Sequence, residues 1–193
     1  MNDRPGGGDA ITALLSEIER GSRDAEHALI ELVYDELRAI ARRQLGNEQH
    51  RRGLQTTALA HEAYLRLFGD ESTSFTNRRH FFGAAAQAMR RILVDQARER
   101  LAKKRGEGVT HLELPRHLET PRTVEPTELL SIHAALGELE RIDASMARVV
   151  GLRVFLGMTV AEIAKLDEHS ERTVFRQWRS ARAWLRAAMG AGE

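Results

Sequence analysis

A chain of 193 residues suits one or two small domains, and 42% hydrophobic residues with only 5% aromatics point to ordinary cores of Leu, Ala, Ile and Val. The absence of cysteine excludes a disulfide framework and any thiolate metal site. A net charge of +1 hides strong segregation: residues 78–105 carry nine Arg or Lys against Asp95 and Glu99, residues 170–186 carry five Arg against Glu171, and residues 1–77 and 106–169 are both acidic. The basic blocks read as two electrostatic footprints on a polyanion, and the acidic ones as surfaces for a basic protein.

Residues 1–8, with Pro5 and three glycines, are expected to be a disordered head. The first ten residues are polar and no apolar run approaches about 18 residues, so neither a signal peptide nor a membrane insertion is expected and a cytoplasmic location is the default. From Asp9 to Leu45 the apolar spacing predicts two helices broken at Gly21 and Ser22. A third helix is expected over Thr57–Phe68, with Leu59, Ala63 and Leu67 inward and His61, Glu62, Leu65 and Arg66 further out. A polar loop then covers Gly69 to Asn77.

The fourth helix, about Arg79 to Ala102, has one wide apolar face in Phe82, Ala85, Ala86, Met89, Ile92 and Leu93. Gln87, Arg91, Asp95, Arg98 and Arg105 lie opposite, and Arg91 and Asp95 have the spacing of a helical ion pair. Three prolines among charges make residues 103–127 read as a flexible linker. Two further helices follow, Leu129–Leu139 and Ala144–Phe155, the second capped by Asp143. There is no strand alternation or internal repeat. The expected fold is all-α, two small helical domains over residues 9–102 and 128–189.

The last forty residues carry the sharpest signal. Thr159 and Glu162 fit a capping box that opens a helix over Val160–Leu166. Ser170 can cap a second helix on which Val174, Trp178, Ala181 and Leu185 form a buried stripe, while Arg172, Arg176 and Arg179 fall on the opposite face. A helix-turn-helix with a cationic second helix is the arrangement that enters a DNA groove, because guanidinium groups pair with phosphates and with base edges.

In order and spacing, the segments Ala58–Leu67, His80–Arg105 and Gly157–Leu185 together resemble the extracytoplasmic-function (ECF) class of bacterial RNA polymerase sigma factors, the short kind that keeps only domains two and four. The phrases Leu54-Gln55-Thr56-Thr57-Ala58-Leu59 and Ala181-Arg182-Ala183-Trp184-Leu185, with Trp178, are similar to one subgroup of that class. The resemblance implies a factor that binds core RNA polymerase, through its clamp and flap, and directs promoter-specific initiation. It makes residues 9–102 the unit for polymerase docking, minus-ten recognition and melting, and residues 128–189 the minus-thirty-five unit.

On that reading His61, Glu62, Leu65 and Arg66 dock on the clamp, and Arg90, Arg91, Asp95 and Arg98 serve the minus-ten region. Asn77 and Phe75 belong to the same region, with Phe75 either a stacking surface for a flipped base or a core plug. Arg172, Thr173, Arg176 and Arg179 read the upstream element. An anti-sigma factor is a further partner that the class implies. The sequence departs from the family pattern at Ala58, where many relatives carry an acid, and at Asp167-Glu168-His169, where the family usually has Leu-Gly-aliphatic.

No cofactor, metal or catalytic residue is expected: His61-Glu62 lacks the second histidine a zinc hydrolase needs, and no carboxylate cluster has metal spacing. The alternative is a helix-turn-helix transcriptional regulator that never joins polymerase. A plain regulator has no need of a second basic helix beside a docking helix.

Overall fold

The computed structural model describes residues 7–45, 52–68, 75–106 and 125–190, all helices and short connections among them. The expected head through residue 6, most of the loop before Phe75 and residues 107–124 of the expected linker lie outside the described residues. Helix α1 spans Gly7–Glu19, α2 Arg23–Leu45, α3 Arg52–Phe68 and α4 Arg78–Gly106. Then come α5 (Pro126–Ile142), α6 (Ala144–Val150), a π-helical turn (Gly151–Phe155), α7 (Val160–Asp167) and α8 (Glu171–Gly190).

The break between α1 and α2 falls at Gly21, whose φ of 88° lies in the left-handed region that glycine enters without strain. The apolar faces of α2, α3 and α4 all point inward: Val33, Leu37 and Ile40, then Leu59, Ala63 and Leu67, then Phe82, Ala85, Met89 and Ile92 are buried. Asn77 starts α4, its Oδ1 accepting from the amide of His80 at 2.8 Å.

In the C-terminal half the expected caps are in place. One Asp143 oxygen accepts from the amides of Ser145 and Met146, both at 2.9 Å. Thr159 and Glu162 form the reciprocal capping box, and Ser170 accepts from the amide of Thr173 at 3.1 Å. The helix expected to run unbroken from Ala144 to Phe155 changes to a π-helical turn at Gly151. That change brings Leu152, Phe155 and Leu156 all to full burial.

The halves are packed together. Helix α4 lies between the N-terminal helices and α5, α6 and the π-helical turn, so one apolar core runs through both halves. Gly83 and Gly151 mark close approaches: a Cβ at Gly83 would stand 2.9 Å from Nη1 of Arg148, and one at Gly151 would touch Ala86. The side chain of Gln44 adds a hydrogen bond to the Val154 carbonyl at 3.0 Å.

Candidate nucleic-acid interface

Helix α8 presents two opposed surfaces. Val174, Trp178, Ala181 and Leu185 are buried against the rest of the C-terminal half, and Arg172, Arg176 and Arg179 are exposed. Arg153 lies over the Trp178 ring, 4.8 Å from its centroid, and closes the inner surface with a cation–π contact. Burial pushes the Arg153 guanidinium below its ordinary pKa, and the neighbouring Arg182 adds to the effect while Glu162 opposes it. Thr173 is half-buried, its hydroxyl 2.9 Å from that of Ser170 at the helix start.

One residue of this surface escaped the sequence reading. Phe175 is 56% exposed and lies one helical turn from both Arg172 and Arg179. Its mark in the sequence is an aromatic residue that lies off the Val174–Leu185 stripe, among the arginines.

The turn before α8 is built from its three polar residues. Glu168 takes the left-handed conformation (φ 56°) that glycine would otherwise supply. The Asp167 side chain is only 5% exposed, and Arg148 grips both its oxygens, with Nε at 3.1 and 3.0 Å and Nη2 at 2.8 Å. Arg79 adds a contact at 3.1 Å from α4. A carboxylate with so many donors packs where an apolar side chain would, because its charge is neutralised in place.

Along α4 the expected site residues divide. Arg91 and Arg98 are exposed. Arg90 is turned into the contact with α5: its Nε donates to His133 Nδ1 at 2.9 Å, its Nη2 to the His133 carbonyl at 2.8 Å, and its Nη1 pairs with Glu140. The pair read from Arg91 to Asp95 is replaced by contacts from Asp95 to Arg66 of α3 at 3.1 Å and to Arg98 at 3.6 Å. Arg66 reaches across because α3 packs beside α4, which brings the two side chains closer than the helical spacing brings Arg91.

Arg66 also holds Glu62 at 3.1 Å, while His61 and Leu65 face solvent, Leu65 with 52% exposed. Phe75 is buried, with its ring 5.4 Å from Phe68, 5.7 Å from His80 and 5.5 Å from Phe81. Of the two readings left open for Phe75, this conformation adopts the core plug. The Oδ1 of Asn77 serves as the α4 cap.

The ECF sigma factor family model matches residues 8–191, and the chain belongs to that family. It is therefore a sigma factor acting in transcription initiation, in a family of non-enzymatic transcription factors whose partners are RNA polymerase and promoter DNA. Comparison with curated proteins and with solved structures returns no match. No helix among the described residues is long and apolar enough to cross a membrane, and no group of three or more His, Asp or Glu among them is placed to hold a metal ion.

Proposed function

We propose that the chain directs promoter-specific initiation with a division of labour between its halves. Helix α8 enters the major groove of the upstream, minus-thirty-five element. Arg172, Arg176 and Arg179 supply phosphate and guanine contacts, Thr173 contacts the backbone near the helix start, and Phe175 offers an apolar surface to a thymine methyl. The exposed arginines of α4, Arg91 and Arg98, track the backbone of the minus-ten region, joined by Arg90 once it is free of α5, and Asp95 sets their charge balance. The α3 surface of His61, Glu62, Leu65 and Arg66 meets the polymerase clamp, and an anti-sigma factor competes for one of these surfaces.

One observation supports this reading above the others: an exposed arginine face on α8, backed by a buried stripe and entered through a doubly capped helix-turn-helix. The test is run-off transcription with purified core polymerase and a promoter library. Transcripts that start at defined sites only when the protein is added are expected. Binding to DNA with no stimulation of initiation would instead favour a regulator that works without polymerase.

A further inference from the structure

Between α4 and the C-terminal helices lies a recess of about 230 Å³. Its walls are α4 on one side and α5, α6 and the π-helical turn on the other, and Ala86, Leu136, Ala147, Leu152 and Phe155 make its floor apolar. Gly83 and Gly151 both line it, and their missing side chains leave the room. The π-helical turn in its wall is a distortion of the kind that gathers at functional sites. This floor takes no part in the DNA or polymerase contacts proposed above.

Each end of the recess carries a polar atom with no protein partner. At the Gly83 end stands Nη1 of Arg148, 2.9 Å from where a Cβ on Gly83 would lie. Arg148 uses Nε and Nη2 on Asp167 and on the Arg79 carbonyl, whereas Nη1 has no hydrogen-bond partner among the described residues. Such a nitrogen has two hydrogens to donate. At the other end, about two helical turns or about 10 Å along α4, Arg90 pairs with Oε1 of Glu140, and Oε2 is unpaired among the described residues. Arg79, Arg90 and Arg148 meet only Asp167 and Glu140 here, which leaves one positive charge without a carboxylate.

Size and chemistry together select the occupant. Benzene fills an apolar cavity of about 150 Å³, so this floor has room for one ring with a substituent at each end. Ligand sites pair an apolar lining with a few converging polar groups in this way. The surplus charge and the free Nη1 call for an anionic acceptor at the Gly83 end, and Oε2 of Glu140 calls for a donor opposite. We propose that the recess binds a small aromatic carboxylic acid with a hydroxyl para to its carboxylate. The carboxylate accepts from Arg148, the ring covers Leu136, Leu152 and Phe155, and the hydroxyl donates to Glu140. Occupancy bridges four helical segments and so stabilises the fold by mass action.

The test is titration of the isotope-labelled full chain with para-hydroxybenzoate, read by amide NMR shifts and by melting temperature. The amides of Gly83, Gly151 and Leu152 are expected to move with a dissociation constant of roughly 1 mM or tighter. At ligand about ten times that constant, the melting temperature should rise by about 3–6 °C. The uncharged para-hydroxybenzyl alcohol should bind about tenfold more weakly.

Arg148→Lys keeps a cation for Asp167 but removes Nη1, and should lose affinity for the acid by about the same tenfold factor. Ala86→Leu fills the floor and should abolish binding; if that variant does not fold, the lysine variant and the alcohol decide the matter. The proposal falls if para-hydroxybenzoate moves no recess amide up to its solubility limit, or if acetate at equal ionic strength moves the same amides as far. Equal affinity in Arg148→Lys and the parent would overturn it too.

Discussion

The Nε of Arg90 donates to Nδ1 of His133 at 2.9 Å, so the halves of the molecule are joined through an imidazole nitrogen that a proton would otherwise occupy. With Nδ1 accepting, the neutral ring carries its proton on Nε2.

This contact makes the packing sensitive to acid. Burial, first, and then the Arg90 and Arg98 charges hold His133 below its ordinary pKa of 6.5, against the opposing pull of Glu140 and Asp95. A histidine depressed in the folded state contributes stability that is fully present above 6.5 and declines as pH falls through the window below it, because the unfolded chain takes the proton first. Urea unfolding between pH 8 and 5, run beside His133→Gln, is expected to show a loss of stability on acidification that is smaller in the variant. Parallel pH profiles for the two proteins would remove His133 from this role.

Arg176→Ala removes an exposed guanidinium from α8 and touches none of the buried stripe. Stability should be unchanged within about 0.5 kcal/mol. Binding to DNA should weaken, and the slope of log affinity against log salt should shrink by about one unit, the signature of one lost phosphate contact. A titration series across salt concentrations measures both, and identical slopes would exclude a phosphate contact at this position.

Asp143 anchors α6 through two backbone amides and the Ser145 hydroxyl, the last at 2.6 Å. That hydroxyl, followed by the Met146 amide, holds the carboxyl below its ordinary value of 3.8, so the cap's contribution is present above that value and fades as pH falls toward the lower folded pKa. Asp143→Ala is expected to cost about 1 kcal/mol at neutral pH, and Asp143→Asn less. Chemical denaturation compares the two, and an alanine variant as stable as the parent would show that α6 starts without its cap.

Glu168 is the one described non-glycine residue with positive φ. A left-handed side-chain-bearing residue is strained by roughly 1–2 kcal/mol, and glycine relieves that strain at an entropic cost of about 0.5–1 kcal/mol. Glu168→Gly should therefore raise the melting temperature slightly, for a net gain of about 0–1.5 kcal/mol. A clear fall in calorimetry would mean that the Glu168 side chain itself holds the turn.

The parts legible in the sequence are those governed by neighbours along the chain. The capping box at Thr159 and Glu162, the Asp143 cap and the α8 stripe all depend on residues within one or two turns, and each stands where periodicity put it. What periodicity misses depends on distant packing. Asp95 pairs with Arg66 instead of Arg91, and Arg90, read only as a DNA contact, meets Glu140 from another helix. The π-helical turn carries no local mark, since Gly151–Phe155 has the same apolar spacing as a continued α-helix and shifts only under the demand to bury Leu152, Phe155 and Leu156 together.

Helix α4 has 29 residues and is about 43 Å long. Arg79 and Arg90 sit on it roughly three turns, or about 16 Å, apart, so the C-terminal half is pinned at two heights on one rod. A single pin would permit swivelling; two fix both rotation and sliding. Misalignment by a single turn would strand both arginines at once, which leaves the docked arrangement one register and no near neighbours.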